Sequence, residues 1–271
     1  MIDIVLQMIS YPFIVRALVA GLFVSLCASL LGVTLTLKRY SMIGDGLSHI
    51  GFGALALASA LGAAPLAVSV PIVLAAAFLL LRLGENSKLK GESAIALISC
   101  GSLAVGVTIL SFSDANNISI TNYLFGSILA VSRTDMIISV VLCGAVILAY
   151  IFFYSRIFAI TFDENFARAT GSNAGLSNMM IALATALTIV IGMRLVGSML
   201  ISALIIFPPL CSMRVFKSFK SVVICSAVLS VVCFIIGIFA SYTLSTPAGA
   251  SIVCSNIIAY IIFAVIGKIK K

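Results

Sequence analysis

Asp45 and His49 are the residues of this chain best suited to chemistry: the single histidine of 271 residues stands four positions after an acid, inside the apolar run Ser41–Gly62. At 1.5 Å per residue and 3.6 residues per turn, a helix projects both side chains from one face, about 6 Å apart along its axis. An ionisable group at membrane depth is costly enough that it faces a bundle interior or a water-filled pathway. Carboxylate oxygen and imidazole nitrogen together suit a divalent transition metal. Spacing alone leaves two readings open: ligands for a passing metal ion, or a hydrogen-bonded structural pair locking two helices. Two ligands are fewer than the four that zinc usually takes. A symmetric homodimer would supply two aspartates and two histidines across a central axis, and a transport site must in any case release its ion.

Gly44, Gly46, Gly51 and Gly53 leave the helix around the pair almost bare, which suits close approach of a neighbouring helix. Glu92 and Cys100, eight residues apart on roughly one face of a later apolar run, are further candidates. A soft thiolate beside an acid can join a zinc site; the alternative is a cysteine used for packing.

The elements that must position these groups are transmembrane helices. Hydrophobic residues make up 62% of the chain and charged residues 9%, with a mean hydropathy of +1.29, far from the roughly 25% charged residues of a soluble domain. Crossing hydrocarbon takes roughly 20 residues, and nine runs qualify: 13–37, 43–62, 65–82, 93–112, 134–154, 176–193, 195–213, 221–243 and 250–267. The prediction is an all-α polytopic membrane bundle of eight or nine spans, a single domain over 1–271 with no soluble catalytic unit. The first run is too long for a signal-peptide core and lacks a small-residue cleavage site.

The net charge of +8 is not gathered into a stripe, which argues against nucleic acid. Thirteen of the sixteen cations fall in every second connector, around Lys38, Lys88, Arg156, Lys217 and Lys270. The positive-inside rule makes those connectors cytoplasmic, with the carboxyl terminus inside and the amino terminus outside. Arg16, Arg133 and Arg194 depart from the pattern, and the short hairpin Gly192–Leu195 suggests a broken or re-entrant pair of spans. The seven cysteines lie in apolar runs without C-x-x-C spacing and read as buried small hydrophobes, not a disulfide framework.

Two connectors exceed what a turn needs. Ser113–Thr134, on the outer side, is either a surface for an external partner or a solvated loop with a short interfacial helix. In Arg156–Gly175, Asp163 and Glu164 precede Phe166, Ala167, Ala169 and Gly171, the pattern of a short helix that starts with acids and stops at a glycine. That helix offers a grip for a soluble partner, or serves as a plain connector. Pro208 and Pro209, in the middle of a span, remove two backbone donors and predict an unwound segment beside a pathway.

The run Arg39–Gly53 (RYSMIGDGLSHIGFG) resembles the opening of the permease subunits of the metal-uptake ABC transporters. Tyr123–Val131, Thr185–Pro209 and Thr246–Val253 resemble later segments of the same family, above all its zinc-uptake members, so the likeness covers nearly the whole chain. It implies that Asp45 and His49 contact the metal in the translocation pathway. It also implies that Phe162–Asn173, with Phe162, Asp163, Glu164, Ala167 and Gly171, is a cytoplasmic coupling helix. Two copies would then pair with two ATP-binding subunits, and an extracytoplasmic binding protein would deliver zinc, or manganese or iron, at the plasma membrane of a prokaryote. The likeness further implies that no cofactor is held permanently. The chain carries no G-x-x-x-x-G-K-[ST] phosphate loop, so ATP is expected to be used by the partner. Cys100 stands where zinc members often carry a histidine.

Two other classes compete. A proton-driven secondary transporter would use Asp45 as carrier, but such proteins usually spread acids over several spans. An intramembrane enzyme is disfavoured because neither H-E-x-x-H nor G-x-S-x-G occurs and one histidine leaves little acid–base chemistry.

Overall fold

A computed structural model of the chain describes residues 11–86, 91–112, 126, 131–171 and 173–269. Among them the regular structure is helical. The helices are α1 (Pro12–Leu37), α2 (Ser41–Ala60), α3 (Pro65–Asn86), α4 (Gly91–Phe112), α5 (Arg133–Phe152), α6 (Tyr154–Phe162), α7 (Glu164–Ala169), α8 (Ala174–Val196), α9 (Ser198–Val215), α10 (Phe219–Leu244) and α11 (Ala248–Ile269). The nine long ones coincide with the nine apolar runs, and seven of these are long and apolar enough to cross a membrane. Pro65–Leu80 is a shorter apolar stretch. α2 falls outside the seven because Asp45, His49 and its serines dilute it, and it lies mostly buried among other helices.

Local chemistry sets the helix ends. Pro12 starts α1, where its missing N–H costs nothing. Ser132 and Asp135 close a reciprocal capping box on α5, and Asp163, Asn173 and Ser218 cap α7, α8 and α10 through side-chain oxygens.

α1 is the hub, packing against α5, α8, α9 and α10. Hydroxyls and small residues join these helices, since lipid offers little hydrophobic drive between them. Ser230 Oγ donates to Ser25 O at 2.9 Å, Cys27 Sγ pairs with Thr188 Oγ1 at 3.1 Å, and Thr34 Oγ1 meets the Tyr150 hydroxyl at 3.3 Å. α4, α5 and α11 are largely exposed, as lipid-facing or partner-facing helices are. Cys100 and Cys254 lie on such faces, unlike the buried Cys27, Cys143, Cys211 and Cys233.

Two expectations change. The span carrying Pro208 and Pro209 does not unwind: α9 runs through both. Pro209 cannot donate to Ile205 O one turn back, but the backbone of Gly32 covers that carbonyl so closely that a Cβ there would stand 2.1 Å from it. This is the placement of a Cα–H···O contact. Ser212 Oγ donates to Pro208 O at 3.0 Å and Pro209 O at 2.9 Å, adding a local clamp. The interruption falls instead at Gly197, whose φ of 89° and ψ of 157° suit only glycine and form the whole link between α8 and α9. Arg194 therefore sits in the last turn of α8, not in a hairpin. The second change is that Arg156–Gly175 holds two short helices, α6 and α7, where one was expected.

Candidate metal site

α2 is pressed against four helices, and its glycines mark the contacts. A Cβ at Gly44 would meet Ile205 of α9 at 3.2 Å, one at Gly46 would meet Ile95 of α4 at 2.8 Å, and one at Gly51 would meet Met193 of α8 at 2.5 Å. At Gly53 the backbone oxygen of Ser102 lies 2.8 Å from that position. Leu80 of α3 adjoins Gly46. What stays open is a stripe of α2 through Met42, Asp45 and His49. On it the Asp45 side chain is 42% exposed and that of His49 29%.

His49 Nε2 and Asp45 Oδ2 are 3.6 Å apart. That is too long for a good hydrogen bond. Zinc–nitrogen and zinc–oxygen bonds of about 2.0–2.2 Å at a tetrahedral angle place the two donor atoms roughly 3.4 Å apart, so the pair as it stands nearly spans one ion. His49 Nδ1 is buried and has no hydrogen-bond partner among the described residues. Beneath the pair, Ser48 Oγ donates to Asp45 O at 2.7 Å and meets Ser202 Oγ at 2.8 Å, tying α2 to α9.

Within one protomer no third His, Cys, Asp or Glu joins this pair among the described residues. Cys100 lies on the exposed face of α4, while its buried neighbour Ser99 faces Gly46. Glu92 belongs to α4, and its side chain lies outside the described residues.

The stretch from Phe162 to Gly171 holds a compact, capped turn of helix. Asp163 Oδ1 accepts from Phe166 N at 2.9 Å, Ala167 is fully buried, and Gly171 has a φ of +83° just past the helix. Glu164 turns inward. Its Oε1 accepts from Arg168 Nη2 at 2.7 Å, and its Oε2 accepts from Asn178 Nδ2 at 3.2 Å and lies 3.5 Å from Lys38 Nζ. Burial alone would raise the Glu164 carboxyl; the hydrogen bonds from Arg168 and Asn178 and the charge of Lys38 outweigh it and hold the group below its ordinary value. Phe162 and Phe166 point outward, 59% and 63% exposed, and Phe162 stacks with Phe158 and Phe219.

One pair escaped the reading of the sequence. Arg194 Nη1 meets Asp135 Oδ1 at 2.9 Å, joining α8 to α5. The S-x-x-D pattern at Ser132–Asp135 signals the helix start, but no local pattern names Arg194 as its partner. The other unforeseen set is Lys38, Glu164 and Asn178, which are far apart in the chain.

Nine long helices among the described residues, one of them carrying an acid–imidazole pair on its open side, define a polytopic membrane protein. The chain belongs to the ABC 3 transport family, whose model matches residues 10–267. It is 34% identical over 258 residues to the probable metal transport system membrane protein of Thermotoga maritima, covering 95% of this chain and 90% of that one. With the high-affinity zinc uptake system membrane protein ZnuB of Buchnera aphidicola it shares 32% identity over 93% of this chain and 95% of the relative. The solved structure of PsaBC from Streptococcus pneumoniae in complex with Fab contains a chain of the same fold, with a TM-score of 0.86, 28% identity and coverage of 97% of this chain and 95% of that one.

Proposed function

We propose that this chain is the transmembrane permease of an ATP-driven importer of divalent transition metal ions, zinc first among them. It works as a homodimer with two separate ATP-binding subunits, fed by an extracytoplasmic metal-binding protein at the plasma membrane of a prokaryote. The observation that carries this reading is the 3.6 Å gap between Asp45 Oδ2 and His49 Nε2 on the open stripe of an otherwise buried helix. A second copy facing that stripe would complete a four-ligand shell. Imidazole nitrogen favours zinc over harder ions, while manganese and iron remain the alternative cargoes because first-row divalent ions compete for the same donors. Relatives are named for all three metals.

In this mechanism the metal exchanges hydration water for the Asp45 carboxylate and the His49 imidazole, and the partial shell lets it leave again. Phe162–Asn173 docks the ATPase from the cytoplasm, the side to which the cation-rich connectors assign it. ATP drives the cycle by binding one conformation of the assembly better than the other.

The test is uptake of radiolabelled zinc, manganese and iron by the complex reconstituted with its own binding protein. Asp45→Asn and His49→Ala should each abolish uptake while membrane insertion and dimer assembly persist. Undiminished uptake by both variants defeats the site, and manganese uptake without zinc uptake reassigns the cargo.

A further inference from the structure

Lys38 caps the carboxyl end of α1, and its side chain is only 8% exposed. Its ammonium donates to Asn178 Oδ1 and lies 3.5 Å from Glu164 Oε2, while Asn178 Nδ2 donates to the same Glu164 oxygen at 3.2 Å. Each of the three side chains thus touches the other two. The triangle joins the end of α1, the first turn of α7 and the second turn of α8. A buried ammonium needs such partners, because a charge taken from water and left unpaired is strongly unfavourable.

The corner between α1 and α2 is only Lys38, Arg39 and Tyr40. Tyr40 N donates to Leu35 O at 2.7 Å, Ile43 N donates to Tyr40 O at 2.9 Å, and Arg39 holds a φ of 60°, which side-chain-bearing residues adopt sparingly. Such a corner passes a displacement on and does not absorb it. Asp45 is the fifth residue of the helix that begins there. The six residues of α7 are too few to form a stable helix alone, so Glu164 and the buried Ala167 fix its place.

We infer that Lys38 and Asn178 are positioning residues that transmit movement of α7 to the metal-ligating helix α2. This rests on the functional reading above, in which α7 docks the ATPase. A pull on Glu164 shifts Lys38, and with it the start of α2 and the angle at which Asp45 and His49 face a partner copy. Asn178 anchors the same oxygen to α8, so α2 and α8 move together.

The test uses liposomes holding the full complex of this chain, its ATP-binding subunit and its binding protein, with zinc as the probe. Lys38→Met should leave the ATPase co-purifying and hydrolysing ATP, while metal ions moved per ATP fall at least about fivefold, within the usual span of coupling between sites. Lys38→Arg, which keeps the charge and the donors, should restore most of the ratio. If Lys38→Met does not accumulate in the membrane, Asn178→Ala, which leaves both charges paired, is read on the same ratio. An unchanged ratio in either variant overturns the inference, as does a parallel fall of hydrolysis and transport, which marks a merely structural role. A wild-type chain that recruits no ATPase overturns the functional reading, and this inference with it, a result distinct from the other two.

Discussion

Arg194 Nη1 lies 2.9 Å from Asp135 Oδ1, so the last turn of α8 is tied to the first turn of α5. Both charges also sit at the helix ends that favour their sign. The pairing accounts for an arginine that breaks the alternation of basic connectors: its charge is matched locally. Arg194→Met leaves a carboxylate that is 11% exposed with Ser132 as its remaining partner among the described residues, and should lower stability by about 2 kcal/mol. Asp135→Asn should cost less, because Arg194 is 34% exposed and reaches solvent. Thermal unfolding in detergent should rank wild type above Asp135→Asn above Arg194→Met; coincident midpoints would show the pair to be idle.

Gly32 and Gly144 should respond in opposite ways to alanine. A Cβ at Gly32 would stand 2.1 Å from the Ile205 carbonyl that Pro209 leaves without a donor, whereas one at Gly144 meets nothing within 4 Å. Gly32→Ala should therefore part α1 from α9 and cost about 1–3 kcal/mol. Gly144→Ala should be neutral or stabilise by up to about 1 kcal/mol through helix propensity. The same unfolding assay reads both, and equal shifts would refute the close approach.

Glu164 gives the α7 region a pH dependence. Its carboxyl titrates below the ordinary value of 4.5 in the folded chain. The stability it contributes is therefore fully present above that value and is lost as pH falls through the lower folded one. Glu164→Gln should destabilise the α7 region at pH 7, and the gap to wild type should close as the medium is acidified below about 4.5. Hydrogen exchange across residues 160–180 at several pH values measures it; a gap that persists at the acid end would contradict the assignment.

Phe166 should matter to a partner more than to the fold. It is 63% exposed on α7. Burying a phenylalanine is worth about 1.5–3 kcal/mol, so Phe166→Ala should weaken retention of the ATP-binding subunit about tenfold or more. The unfolding midpoint should stay within about 0.5 kcal/mol of wild type. A pull-down unaffected by this change would reduce α7 to a connector.

The apolar runs were legible in the chain because each helix must satisfy its own backbone in lipid, a local requirement that composition and length express directly. For the same reason the cap at Asp163 and the stop near Gly171 could be read, since both lie within one turn of what they terminate. Asp45 and His49 stood out because charge in an apolar run is itself a signal, and their shared face follows from helix geometry alone.

What tertiary structure alone decided is everything that depends on which helix lies beside which. α9 runs on through Pro208 and Pro209, and Gly32, remote in sequence, lies against the carbonyl that Pro209 frees. Arg194 finds Asp135, Lys38 finds Glu164 and Asn178, and Cys100 forms no ligand cluster with Asp45 and His49 among the described residues, through packing that no local pattern encodes. The physical reason is range: propensity, capping and hydropathy act within a turn or two of the chain, whereas close approach and ion pairing depend on separations that only the assembled bundle sets.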